Sequence, residues 1–305
     1  MSDVRRLVLA FDIGGTTIKA AAYDAALRPL AGARRPSPRG PAVVDALAGL
    51  AEEVLAALPP DRREDVVAAG AVALGLVDEA RGVMRRAVNL DVTDLEVAGP
   101  LSRLLGVPTV LGHDVEQAAI AEVEASPTEV RQPFVVVIGT GIAAATFVDG
   151  APLRGVSGQA GELGHVVVRP DGRRCPCGAV GCLETVASAA AIARDYSERT
   201  GTAVTGASDV LRRLGTDPVA DEVWAEATSA LADALVMVCT LLAPGEIVLG
   251  GGLAEAGDAL VEPVRTTMLE RSYVATVPPI RASVLGSRAG LVGAAGLALR
   301  TIGAR

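Results

Sequence analysis

The chain is poor in several residue types. Only 2% of its 305 residues are aromatic, and it holds one Trp, two His and four Cys. Of 28 basic residues a single one, Lys19, is Lys, and Asn89 is the single Asn. The length suffices for a sizeable core, so no disulfide staple is needed for stability. The net charge of −8 argues against a nucleic-acid partner, which needs a basic face. No apolar run reaches about 18 residues without a charge, Gly or Pro break, so no membrane partner is expected. The start, Met1 to Arg6, is polar and does not read as a signal peptide, so a cytoplasmic protein is expected.

What the chain does have is apolar runs that end in glycine. Leu7–Phe11 reads as a strand, Asp12-Ile13-Gly14-Gly15-Thr16-Thr17 as a turn, and Ile18–Tyr23 as a second strand. Phe134–Ile138 runs into Gly139-Thr140-Gly141, and Glu246–Leu249 into Gly250-Gly251-Gly252. Ile142–Val148 with Asp149-Gly150 signals another hairpin. Residues 29–41 read as a loop from their Pro, Gly and Arg content, Val43–Leu58 and Leu95–Leu105 as helices, and Val66–Leu76 as a buried strand. Val107–Leu111 reads as a strand and Val115–Glu124 as a helix N-capped by Asp114. The stretch from Ser188 to about Leu242 reads as mainly helical, and a helix near Asp258–Ser272, a strand near Ile280–Leu285 and a helix near Ala289–Thr301 follow. Strands feeding helices through glycine turns predict an α/β architecture.

Glycine turns let backbone N–H groups approach a phosphate, and a carboxylate such as Asp12 at a strand end suits Mg²⁺. The alternative for Gly14-Gly15 is a plain tight hairpin. The P-loop pattern GxxxxGK[ST] and the dinucleotide pattern GxGxxG are both absent. Lys19 reads either as a site residue or as a side chain on the sheet surface. Cys175, Cys177 and Cys182 fall within eight residues, ten residues after His165. Three thiols and one imidazole are a tetrahedral zinc set, and a set with no open position is structural. Cys239 lies in an apolar helical run and reads as a buried thiol. Asp114 suits a cleft-facing carboxylate or a simple helix cap. Glu162 and Glu184 flank the cysteine segment and read either as ligand-binding or as solvated charges.

These segments together resemble the ROK family of bacterial sugar kinases, above all its ATP-dependent glucokinases. The resemblance spans nearly the whole chain. It rests on Asp12-Ile13-Gly14-Gly15-Thr16, Ala160–His165, Cys175-x-Cys177-Gly178-x-x-Gly181-Cys182-x-Glu184, Ile247–Gly252 and Gly290–Ala295. It implies an actin-like (hexokinase-like) ATPase fold of two α/β domains around an interdomain cleft. The small domain is expected at residues 1–112 plus 289–305, and the large one, carrying the zinc loop, at 113–288.

The resemblance further implies that Asp114 is the catalytic base and that Asn89, His113, Glu162, His165 and Glu184 bind the sugar. Asp12, Gly14, Gly15, Thr16, Thr140, Gly141, Gly251 and Gly252 would bind ATP with Mg²⁺. His165, Cys175, Cys177 and Cys182 would hold zinc. Polyphosphate-using relatives usually lack the Cys cluster, so ATP is the expected donor. A homodimer or homotetramer is expected. With no DNA-reading segment before the first strand, a repressor role is not. The chain departs from the family at Gly112-His113-Asp114-Val115-Glu116, where the pattern is Glu-Asn-Asp-Ala-Asn, and at Ala143-Ala144-Ala145, where glycines are usual. These departures leave a second expectation, a sugar-binding sensor with weak or no catalysis.

Overall fold

The computed structural model describes residues 6–126, 130–156 and 158–303. The chain divides into two compact units, Met1–Glu124 with Arg288–Arg305, and Ala125–Ser287.

In the first unit β1 (Leu7–Ile13) turns back as β2 (Thr17–Asp24), with Asp12 opposite Lys19 in the register. β3 (Pro29–Pro36) pairs antiparallel with β2. Then come α1 (Ala42–Ala57), β4 (Val66–Ala73), β5 (Leu76–Asp78), β6 (Val83–Ala87), β7 (Val92–Glu96), α2 (Ala98–Leu105), β8 (Thr109–His113) and α3 (Asp114–Glu124). The main sheet has the order β3-β2-β1-β4-β8, and β5-β6-β7 form a small antiparallel sheet. β1 is buried along nearly its whole length because both of its neighbours in the sheet are strands and its side chains enter the core with those of α1.

The second unit contains β9 (Pro133–Ile138), β10 (Ile142–Val148), β11 (Ala151–Pro152), α4 (Glu184–Ala187), α5 (Ala189–Thr200), α6 (Ala207–Leu211), α7 (Pro218–Leu242), β12 (Glu246–Gly250), α8 (Asp258–Arg271) and β13 (Ile280–Ala282). Its sheet has the order β11-β10-β9-β12-β13. Both five-stranded sheets repeat one plan: two antiparallel pairings on one side of the first strand, two parallel pairings on the other. The chain then returns to the first unit as α9 (Ala289–Thr301). α9 is rich in Gly and Ala because it lies backbone-close to its neighbours. A Cβ at Gly293 would stand 2.4 Å from the Gln117 carbonyl oxygen of α3, and one at Gly70 of β4 would stand 2.1 Å from that of Ala294.

α7 is capped as its sequence suggests: Pro218 occupies the first turn and the Asp217 carboxylate accepts the Val219 N–H at 2.9 Å. Among the described residues it is the one helix long and apolar enough to cross a membrane. Half of that apolar window is buried inside the second unit, where Trp224, Leu231 and Leu235 join the core.

Three sequence expectations change. The segment 29–41 is not all loop, since β3 occupies its first part. Pro29 and Pro36 stand at the two ends of an edge strand, where a missing N–H does least harm. The expected helix 95–105 begins only at Ala98, and its start belongs to β7. The unit boundary falls after Glu124 rather than after residue 112, because α3 packs on α9 and Arg300 donates to Gln117 at 2.6 Å. The small β5-β6-β7 sheet was not foreseen.

Candidate active site

In the first unit the β1–β2 turn is braced from outside. Ser37 donates its hydroxyl to the Gly14 carbonyl at 2.6 Å and its N–H to the Thr16 carbonyl at 3.0 Å. Asp12 is the penultimate residue of β1, and the Lys19 ammonium stands 3.3 Å from its Oδ2. Burial pushes the Asp12 carboxyl up, the Lys19 charge pulls it back, and Asp114 adds to the rise. Lys19 is therefore an ion-pair partner of Asp12, not a bare surface side chain. Asn89, exposed in a 3-10 turn after β6, lies against the same loop, with its Cβ 3.5 Å from where a Cβ of Gly15 would be.

Asp114 is the first residue of α3, not the residue before it. Its Oδ1 accepts the Val115 N–H at 2.8 Å, so the side chain orders the helix start while staying partly exposed. His113 ends β8. Its Nδ1 lies 3.7 Å from Asp114 Oδ1 and accepts the Glu116 N–H at 3.5 Å. Its backbone N–H is donated to Glu79 Oε1 at 3.2 Å. Glu79 escaped the sequence reading, because an acidic residue in the turn Asp78–Gly82 looks like an ordinary solvated hairpin.

In the second unit the turn 139–141 and the turn 250–252 meet at the end of β9. Gly251 has φ +78°, and a Cβ there would stand 2.4 Å from the Ile138 carbonyl oxygen. Glu184, the first residue of α4, accepts the Ile142 N–H with Oε2 at 2.9 Å. It therefore braces the turn assigned to phosphate as well as standing among the expected sugar ligands. The segment holding Glu162 and His165 lies on β10: Ala144 donates to the Gly161 carbonyl at 2.7 Å, and Gly161, at φ +100°, has no room for a Cβ. Of the three alanines that replace family glycines, Ala144 and Ala145 are buried within β10. Ala144 joins the core of the second unit, and Ala143 is half-exposed.

His165, Cys175, Cys177 and Cys182 come together, with all four ligand atoms within 4.8 Å of one another. Cys177 and Cys182 sulfurs are 3.6 Å apart, and His165 Nδ1 is 3.7 Å from Cys175 Sγ. Those spacings suit ligands about 2.0–2.3 Å from one central Zn²⁺ in tetrahedral geometry. All four cysteines are free thiols. Burial and the neighbouring thiols push Cys182 up to about 12. His165 turns its other nitrogen, Nε2, toward Glu162, 3.8 Å away. The ring thus faces the thiols with Nδ1 and Glu162 with Nε2. Cys239 is buried in α7, and burial raises its thiol.

A doubled α/β sheet plan, glycine turns at strand ends, a carboxylate at a strand–helix junction and a His-Cys₃ cluster define the two-unit, actin-like ATPase class. The chain matches the ROK family over residues 8–301 and belongs to it. A glucokinase of Streptomyces coelicolor is 30% identical over 96% of this chain and 97% of its own length. The crystal structure of a ROK family glucokinase from Streptomyces griseus, in complex with glucose and AMPPNP, superposes with a TM-score of 0.83 at 28% identity, covering 96% of this chain and 99% of the other. An N-acetylmannosamine kinase of Salmonella arizonae is 34% identical over 61% of this chain and 64% of its own length.

Proposed function

We propose that this protein is an ATP-dependent hexose kinase that phosphorylates the 6-hydroxyl of glucose or a related sugar. One observation carries the reading: within the first unit a partly exposed carboxylate, Asp114, sits at a strand–helix junction near enough to shift a second, buried carboxylate, Asp12. Such a pair divides the labour of phosphoryl transfer between proton acceptance and metal binding.

Asp114 Oδ1 is engaged by the Val115 N–H, and the carboxylate accepts the proton of the 6-hydroxyl as that oxygen attacks the γ-phosphorus of ATP, the bond from Pγ to the bridging oxygen breaks and ADP leaves. Asn89, His113, Glu162, His165 and Glu184 are the residues proposed to bind sugar hydroxyls. Gly14, Gly15, Thr16, Thr140, Gly141, Gly251 and Gly252 supply backbone and hydroxyl donors to the nucleotide. Asp12, a carboxylate oriented by Lys19, has the hard oxygen donors Mg²⁺ takes. Mg²⁺, when bound, neutralises charge on the transferring phosphoryl group. His165, Cys175, Cys177 and Cys182 would hold zinc as a structural clamp that fixes Glu184 and His165. The proposal includes a cytoplasmic homodimer or homotetramer with no nucleic-acid or membrane partner.

A second reading, a sugar-binding sensor with little turnover, is favoured by His113 and Glu116 at the positions where the family pattern has Asn. The test is ADP release, measured with purified protein, Mg·ATP and a panel of hexoses and N-acetylhexosamines. Sugar-dependent turnover supports the kinase. Sugar binding by calorimetry without turnover for any panel member would refute it in favour of the sensor.

A further inference from the structure

We propose that Glu79 is a positioning residue whose side chain holds the end of β8, and so aims the base Asp114. The proposal rests on the reading of Asp114 as the proton acceptor.

β8 is the edge strand of the first unit's main sheet, hydrogen-bonded on one side to β4 only. An edge strand leaves backbone groups without a ladder partner, and a half-buried N–H needs another acceptor. At His113, the residue just before Asp114, that acceptor is Glu79 Oε1 at 3.2 Å. A carboxylate accepting a backbone N–H is a charge-assisted bond, stronger than a neutral one.

Glu79 is itself well placed to be rigid. It follows β5 in a turn closed by the Arg81 N–H on Asp78 Oδ1, 3.2 Å, and the Gly82 N–H on the Glu79 carbonyl, 3.3 Å. β5 pairs with β6, and β6 leads directly into the turn that carries Asn89. The small sheet therefore bears Asn89 at one end and Glu79 at the other. The bond between Glu79 and the His113 N–H helps tie the small sheet, and with it Asn89, to the segment that carries the base. From the helix side the His113 ring is held by the Glu116 N–H. Displacement of a reacting group by about 1 Å can lower a rate about a hundredfold, so a bond at this point acts on kcat.

The experiment compares wild type, Glu79→Ala and Glu79→Gln in the full-length protein. It reads kcat, KM for sugar, KM for Mg·ATP, and hydrogen exchange at the His113 amide by NMR. Glutamine keeps an oxygen acceptor and removes the charge. Glu79→Ala is expected to lower kcat about ten- to a hundredfold with KM for Mg·ATP within about twofold, and Glu79→Gln to restore kcat to within about threefold of wild type. The His113 amide exchanges faster in Glu79→Ala and is protected again in Glu79→Gln. Wild-type kcat in Glu79→Ala, or Glu79→Gln no better than Glu79→Ala, would overturn the assignment. If wild type turns over no sugar, the kinase reading fails by itself. The exchange data then decide on Glu79: unchanged protection in Glu79→Ala overturns its role, and lost protection regained in Glu79→Gln supports it.

Discussion

Replacing Asp114 by Asn isolates the proposed proton transfer from everything else the side chain does. The Oδ1 that accepts the Val115 N–H at 2.8 Å is still present in an asparagine, so the start of α3 stays ordered. The volume is nearly the same, and the geometry of the sugar site persists. What disappears is basicity and one negative charge. General base catalysis contributes about 10²–10⁴-fold, or about 3–5 kcal/mol of barrier at roughly 1.4 kcal/mol per decade. The loss falls on kcat. Loss of the charge also relieves Asp12, whose carboxyl Asp114 pushes up, so KM for Mg·ATP is not expected to rise. Coupled ADP release gives kcat, and calorimetry gives sugar affinity. Asp114→Ala adds a structural loss of about 1 kcal/mol from the missing bond to Val115, visible as a lower Tm that Asp114→Asn does not show. A kcat in Asp114→Asn above a tenth of wild type would remove Asp114 from the base role. An equal loss of kcat and sugar affinity would make it a binding residue only.

Metal analysis is expected to find about one zinc per chain, and Cys175→Ser to lose it with a lower Tm; metal-free wild type with an unchanged Tm would refute the clamp. Because the Cys182 thiol is pushed up to about 12, zinc uptake must displace its proton, so apparent zinc affinity rises with pH; a flat profile over pH 6–8 contradicts this. Gly251→Ala places a Cβ 2.4 Å from a backbone oxygen at φ +78°, and is expected to destabilise by about 2 kcal/mol or more, whereas a Cβ at Gly252 meets nothing within 4 Å and should be near neutral in denaturant melts. Burial pushes the Asp24 carboxyl up, but N–H donors from Arg28 and Ala26 outweigh it and hold it below the usual range. That stability is present above the unfolded value, about 3.9, and is lost as pH falls through the folded one. Asp24→Asn is therefore expected to lower stability at pH 6 and flatten its acid limb between pH 5 and 2; an unchanged acid limb refutes the linkage.

What was readable along the chain depended on short-range chemistry. The β1–β2 hairpin shows as two apolar runs about a Gly-Gly turn, and the His-Cys₃ set shows as thiol spacing, because chelation demands nearby ligands. α7 shows through Asp217-Pro218 and its apolar length. β3 did not show, since its prolines and arginines describe an edge whose strand character comes from β2. The division of the chain slipped by twelve residues because α3 belongs with α9, which lies far along the sequence.

The sequence by itself therefore determined the His-Cys₃ cluster, the glycine turns and the family, all carried by motifs in which the interacting residues are close neighbours. Only the tertiary structure decided which partners those motifs find. Asp12 meets Lys19 through a hairpin register, Glu184 meets the Ile142 N–H across 42 residues, and Glu79 meets the His113 N–H across 34. The physical reason is the same in each case. A charge or backbone N–H left over by local structure must be satisfied, and packing rather than sequence distance determines which group does so.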